Sequence, residues 1–288
     1  MSHDGEPKPL SRDPYLLNRD LLSSARLHLQ HAVFVNGLGY LLHPTVPVGP
    51  DSHVADLATG TGIFALALAT AHPEARIEAS DISLAQVPAR HWWPANVTFA
   101  VLDALQDPLP ASLIGRYDVL CLRHFVSLQP GDPRPLIARL LSMLKPGGYL
   151  HWQEWDLTTA AVFAPDGTST PKMQALIDYI NDPARHAAQA TWVGDLHQRV
   201  TTGEVPGVEL VAYDRVRAAK AGVVSMQQEL MALGTKEVVA SLRAREGEAS
   251  VEAAKFEKIA DDAVNECLSL GRGPVIDQEM VTWVLRKK

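Results

Sequence analysis

The sequence predicts an α/β fold in which a parallel sheet is covered by helices on both faces. Short apolar runs alternate with helical segments between His53 and Trp155, at the spacing of strand–helix–strand units. The first of those runs empties into a glycine-bearing turn that opens a helix. Composition bounds the class from outside. With 47% hydrophobic and 20% charged residues over 288 positions, disordered, collagen-like and coiled-coil chains are excluded.

Taken in order, residues 1–14 are polar and proline-dotted, without the apolar stretch of a signal peptide, and read as a disordered start. Tyr15 to Leu42 reads as a helix with apolar positions Leu22, Ala25, Leu29, Ala32 and Val33. A second stripe, Arg19, Ser23, Arg26 and Gln30, recurs at spacings of four, three and four and marks a polar face. Pro44, Pro47, Gly49 and Pro50 end this cap. Strands follow at His53–Ala58, Ala75–Ser80, Val97–Leu102, Tyr117–Leu122 and Tyr149–Trp155. Helices are expected at Thr61–His72, near Leu84–Arg90 and at Pro133–Leu144, the last closed by Lys145-Pro146-Gly147-Gly148. In the second half, Asp182-Pro183 caps a helix running to Thr202, and Val208–Val216 is a sixth strand. Helices near Val223–Arg245 and Val251–Leu270 mix charged and apolar residues, as a solvated lid or a homodimer surface would. Met280–Leu285 is the last strand.

Lysine and arginine total 26 against 33 acidic residues, a net charge of −7 with no basic block. That balance argues against a nucleic-acid partner. Two cysteines make no disulfide framework and no zinc pair, and Cys121 sits in an apolar run as a buried small hydrophobe. No apolar run approaches the ~20 residues of a membrane span, so a soluble, cytoplasmic protein acting on a small molecule is expected.

The sharpest signal is Val54-Ala55-Asp56-Leu57-Ala58-Thr59-Gly60-Thr61-Gly62, between a strand and a helix. Glycines admit close backbone approach, and the helix start presents free N–H groups. Asp81 follows Gly60 by 21 positions, at the end of the next strand, where a carboxylate accepts from both ribose hydroxyls. Gly60-x-Gly62-x-x-Ala65 also fits a dinucleotide fingerprint. Charge separates the two readings. An unpaired Asp56 carboxylate beside a pyrophosphate is unfavourable by about 4 kcal/mol at about 4 Å and an effective dielectric near 20. A ligand carrying an ammonium and a sulfonium, such as S-adenosylmethionine, is attracted there instead.

These residues, with Ser80-Asp81-Ile82, Leu102-Asp103-Ala104, Tyr117–Leu122 and Lys145-Pro146-Gly147-Gly148-Tyr149-Leu150, resemble the class I S-adenosylmethionine-dependent methyltransferases over residues 54–156. More narrowly, Gly39-Tyr40-Leu41-Leu42-His43-Pro44, Asp81–Gln86 and Gly148–Glu154 resemble fungal natural-product methyltransferases that modify thiols or nitrogens. The resemblance implies a doubly wound, Rossmann-like sheet of seven strands, mostly parallel with an antiparallel last strand, plus a helical N-terminal cap and helical lid insertions. It implies a cap over 15–50, a cofactor-binding core over 51–157, and the remaining strands with a substrate lid over 158–288. Thr59, Gly60, Thr61 and Gly62 would line the methionine moiety, Asp81 would take the ribose, and Ile82 and Gln86 would flank the adenosine. Asp103 and Ala104 would meet the adenine edge, and Arg123 would border the transfer site. Tyr15, Arg26 and Gln30 would close over the cofactor. One departure is Ala58, which stands at the first glycine of the family's pattern and is tolerable if its φ is negative.

His124 and Glu154 are the candidates for proton transfer from an acceptor. Trp92, Trp93, Trp152, Trp155 and Trp192 are either core anchors or the lining of a flat apolar pocket. The function expected is methyl transfer to S, N or O of a small secondary metabolite. The alternatives are a cofactor-binding cyclase or isomerase without methyl transfer, a cofactor-binding regulatory protein, and an NAD-dependent oxidoreductase.

Overall fold

A computed structural model describes residues 19–128, 131–182 and 190–288. Among them the strands are β1 (His53–Leu57), β2 (Arg76–Asp81), β3 (Val97–Val101), β4 (Tyr117–Arg123), β5 (Leu144–Phe163), β6 (Val208–Arg217) and β7 (Val275–Lys287). They form one sheet in the order β3-β2-β1-β4-β5-β7-β6. Neighbours from β3 to β5 run parallel, while β7 is antiparallel to both β5 and β6. The seven-stranded, mostly parallel sheet with an antiparallel last strand is the expected one. The chain steps outward from β1 to β3 and then returns to place β4 beside β1. Strand order therefore reverses at the carboxyl ends of β1 and β4, where open α/β sheets form their ligand crevice.

Alternation along β4 divides the core between the two faces. Leu120 and Leu122 join Ile137 and Leu140 of α3 (Arg134–Met143) and Leu196 of α5 (Trp192–Thr201). Val119 and Cys121 join Phe64 and Leu68 of α2 (Ile63–Ala71). Trp152, Trp192 and Trp283 meet on the first face, with Trp152 5.0 Å from Trp192 and 6.1 Å from Trp283 between ring centroids. Trp152 and Trp192 are thus core anchors, as is Trp155, and Trp93 packs on Phe99. Trp92 is exposed, and Trp155 belongs to a cluster with Val33 and Phe34 of α1 (Leu21–Leu38). Among the described residues no helix is long and apolar enough to cross a membrane.

Several elements depart from expectation. The first helix ends at Leu38 because Gly39 turns left-handed at φ +80°, and residues 15–18 lie outside the described residues. Its expected faces hold only in part: Val33 is buried as expected, but Leu22 and Ala25 are exposed, while Ser23, Arg26 and Gln30 are buried. Burial follows because α6 (Val224–Glu246) packs along that side, and Arg26 Nε donates to Glu237 Oε2 at 2.8 Å. No helix forms at Leu84–Arg90; the segment is a turn followed by one 3-10 turn at Arg90–Trp92. The start expected at Asp182-Pro183 falls partly on residues 183–189, outside the description, and the helix is seen from Trp192. α4 (Pro171–Ile180) was not expected, and β5 outlasts its predicted span by running on to Phe163. α6 is not solvated on all sides. It buries Gln227, Leu230, Thr235 and Glu237, and packs also on α7 (Val251–Ser269).

Candidate active site

Leaving β1, the chain turns left-handed at Ala58 (φ +54°), Gly60 (φ +60°) and Gly62 (φ +76°). The condition for tolerating Ala58 is not met. Its methyl group sits in the region that disfavours L side chains, so the backbone there is strained. Gly62 is needed twice: its φ is positive, and an added Cβ would stand 2.6 Å from Phe99 Cε1. The loop is tied across the sheet, with Thr59 N–H donating to Ser80 O at 2.9 Å and Gly60 N–H to Asp81 Oδ2 at 2.9 Å. Asp81 Oδ1 accepts from Ser83 N–H at 3.1 Å. Thr59 Oγ1 donates to Asp56 Oδ2 at 2.5 Å, which places the Asp56 carboxylate directly beneath the loop.

The crevice between this loop and the ends of β2, β3 and β4 gathers most of the predicted residues. Thr59, Gly60, Thr61, Asp81, Ile82, Gln86, Asp103 and Ala104 all line it. Arg123 and His124 close its β4 end. Asp103 also closes a turn, its Oδ1 accepting from Leu105 N–H at 2.8 Å. Gln86 is held by Ser24 of α1, its Nε2 donating to Oγ at 3.1 Å.

Four predicted residues do not line the crevice. Gly62 packs beneath it against Phe99. Arg26 and Gln30 lie on a different cavity, because α1 presents Leu27 and His31 to the crevice instead. That is the next residue on, a rotation of about 100°. Glu154 is fully buried away from the crevice, where its Oε1 accepts from Trp152 Nε1 and Phe125 N, both at 2.7 Å. It holds the chain leaving β4. Tyr15 lies outside the described residues. Leu27 and His31 were missed; their spacing of four was visible, but the neighbouring polar stripe was more conspicuous.

Electrostatics shape what the crevice can hold. Burial raises the Asp56 carboxyl to about 7, against the opposing pull of the Thr59 hydrogen bond and of Arg123. Burial also lowers Arg123 to about 10, with Asp56 supporting its charge. The Arg123 guanidinium lies over Phe64 at 4.5 Å from the ring centroid and donates from Nη1 to His31 Nδ1 at 3.1 Å. Its Nη2 faces His124 Nε2 at 3.5 Å. Both imidazoles therefore turn their lone pair toward Arg123. Burial and Arg123 lower His31 to about 4 and His124 well below its ordinary range. His124 is accordingly a weak base, and its remaining ring nitrogen is an N–H donor. Glu154 is pushed up to about 8 by burial. Neither expected proton acceptor presents a basic atom to the crevice.

Among the described residues, three buried polar atoms of the crevice lack partners: Thr61 Oγ1, Arg123 Nε and His124 Nδ1. Two N–H donors and a hydroxyl suit a carboxylate, while Asp56 suits a cation and Asp81 a diol. The donor set fits an amino-acid-bearing nucleoside such as S-adenosylmethionine. A pyrophosphate over the loop would instead face the Asp56 carboxylate.

Comparison with known proteins agrees with this geometry. Residues 54–148 match the family described as methyltransferase domain. The curated methyltransferase grgD of a Penicillium species is 38% identical over 142 residues, covering 46% of this chain and 49% of that protein. The chain spans about half the length of the curated relatives it matches. In fold, the chain is similar to the [4+2]-cyclase SpnF, with a TM-score of 0.51 and 19% identity, covering 90% of this chain and 82% of that one. It is similar also to phosphoethanolamine N-methyltransferase 2 of Haemonchus contortus, solved with S-adenosylhomocysteine, with a TM-score of 0.51 and 14% identity, covering 95% of this chain and 59% of that one. Residues 54–148, which hold the loop after β1 and border the crevice at the strand-order reversal, are thus similar to the methyltransferase domain family.

Proposed function

We propose that the chain transfers a methyl group from S-adenosylmethionine to a sulfur, nitrogen or oxygen atom of a small secondary metabolite. One observation carries this reading: a buried carboxylate, Asp56, lies beneath the loop, with unpartnered Arg123 and His124 N–H groups in the same crevice. In this reading Asp81 holds the ribose, and Ile82 and Gln86 flank the adenosine. Asp103 and Ala104 meet the adenine edge, Thr59–Thr61 border the aminoacyl chain, and Arg123 with His124 grips its carboxylate. When bound, S-adenosylmethionine supplies a methyl group already activated by its sulfonium, whose sulfur keeps the electron pair as the acceptor forms the new bond. The chain's own work is to orient the two reactants and exclude water, effects that together reach about 7–11 kcal/mol in favourable cases.

Isothermal titration tests the binding half. Wild-type protein is expected to bind S-adenosylmethionine, and Asp81→Ala to lose about tenfold or more in affinity, the worth of one charge-assisted hydrogen bond. No binding by the wild type refutes the proposal. A second reading, cyclisation without methyl transfer, draws support from His124 and Glu154, neither of which presents a basic atom to the crevice. Product mass separates the two, because transfer adds one methylene mass and cyclisation adds none.

A further inference from the structure

A second cavity, of about 450 Å³, opens between α6, α4, α7, β5 and the far side of α1. That volume is ample for a metabolite-sized ligand. Phe34 is the partition between the two spaces. Its ring stands edge-on to His124 of the crevice at 4.4 Å and to Trp155 of the cavity at 4.6 Å between centroids. The cavity wall is largely apolar, with Trp155, Leu230, Met231 and Phe256, and its lip carries the half-exposed Leu157 and Val238. Charge on the wall is already matched. Arg26 pairs with Glu237, and Glu252 accepts from the Tyr179 hydroxyl.

One wall residue has no such match. Gln227 is 0% exposed, and neither its Oε1 nor its Nε2 has a hydrogen-bond partner among the described residues. Nearly all buried polar groups in folded proteins are paired, and each that is not costs about 1–3 kcal/mol. A carboxamide is satisfied by a donor and an acceptor set side by side. We propose that this cavity binds an uncharged, mostly apolar small molecule whose adjacent N–H or O–H donor and carbonyl acceptor are read by Gln227, as in an amide or a hydroxy-ketone. Identifying that molecule as the methyl acceptor rests on the methyl-transfer reading above; the binding itself does not.

The test titrates the full chain with three matched probes: 2-naphthamide (donor and carbonyl), 2-acetonaphthone (carbonyl only) and 2-naphthoate (charged). The amide is expected to bind about tenfold tighter than the ketone, one added hydrogen bond to a buried group, with the carboxylate weakest. Gln227→Leu should erase the amide's advantage, weakening the amide more than the ketone, whose single hydrogen bond is lost. Gly234→Phe supplies an independent arm, because an added Cβ there meets nothing within 4 Å and the ring would fill the cavity. It should abolish binding of all three probes without lowering the thermal midpoint or the affinity for S-adenosylmethionine. Asp81→Ala should bind naphthamide as the wild type does, so loss of the cofactor reading and loss of this one are separable. An amide preference that survives Gln227→Leu, naphthamide binding that survives Gly234→Phe, or no naphthamide binding at all overturns the proposal.

Discussion

Asp56 and Ala58 both keep an unfavourable state that a ligand-free fold would not need. Asp56 titrates near 7 in the folded chain against 3.8 for an ordinary aspartate, because burial disfavours its charge. Between those values the folded state holds a proton that the unfolded state has lost, so this group's contribution to stability falls as pH rises from about 4 to about 7. Asp56→Asn should therefore be relatively more stable at pH 8 than at pH 5, measured by denaturant unfolding against wild type at each pH. A cationic ligand favours the ionised form. Its affinity should improve as pH rises through about 7 and weaken below, by up to about tenfold per pH unit. Ala58→Gly, at φ +54°, should raise stability, by about 1 kcal/mol in the same assay. The loop's position, Asp81 and the strand-end carboxylates were legible because each is fixed by local chain order. The sign of φ at Ala58 was not, since it depends on how the loop is tied to Ser80 across the sheet.

Elements follow local pattern until tertiary packing chooses between faces. On α1 the polar stripe containing Arg26 looked like the side that would face solvent or cofactor, and its burial against α6 depends on Glu237, more than two hundred residues later. No periodicity within α1 could supply that partner. The pair is nearly dry, with side chains 8% and 2% exposed. Arg26→Ala should cost about 3 kcal/mol of stability by stranding the Glu237 carboxylate, with Arg26→Met/Glu237→Leu recovering most of it. Affinity for S-adenosylmethionine should change little in either variant; a large loss in the folded double variant would return Arg26 to the cofactor. Gly148 makes a parallel case in β5. An added Cβ would lie 3.0 Å from Lys145 O and 3.1 Å from Asp118 O, so Gly148→Ala should lower the thermal midpoint. Lys145-Pro146-Gly147-Gly148 was readable as the end of α3, whereas its place inside β5, where the close approach of β4 demands a glycine, was not.

At the scale of the molecule, the sheet and its helices divide the labour. The β1–β4 reversal makes the crevice, and the helical second half encloses the cavity behind Phe34. The sheet was legible from alternation and turn chemistry. The cavity was not, because it is assembled from α1, α4, α6, α7 and β5, whose mutual packing leaves no short-range signature. Asp56 is the residue proposed to select a cationic, phosphate-free nucleoside. The most direct measurement is calorimetric titration of wild type and Asp56→Asn with S-adenosylmethionine and with NAD at pH 8. The account predicts that wild type binds S-adenosylmethionine and not NAD, and that Asp56→Asn, still folded, loses about tenfold or more in affinity for it. Equal affinity in the two proteins, or NAD bound in preference, would contradict it.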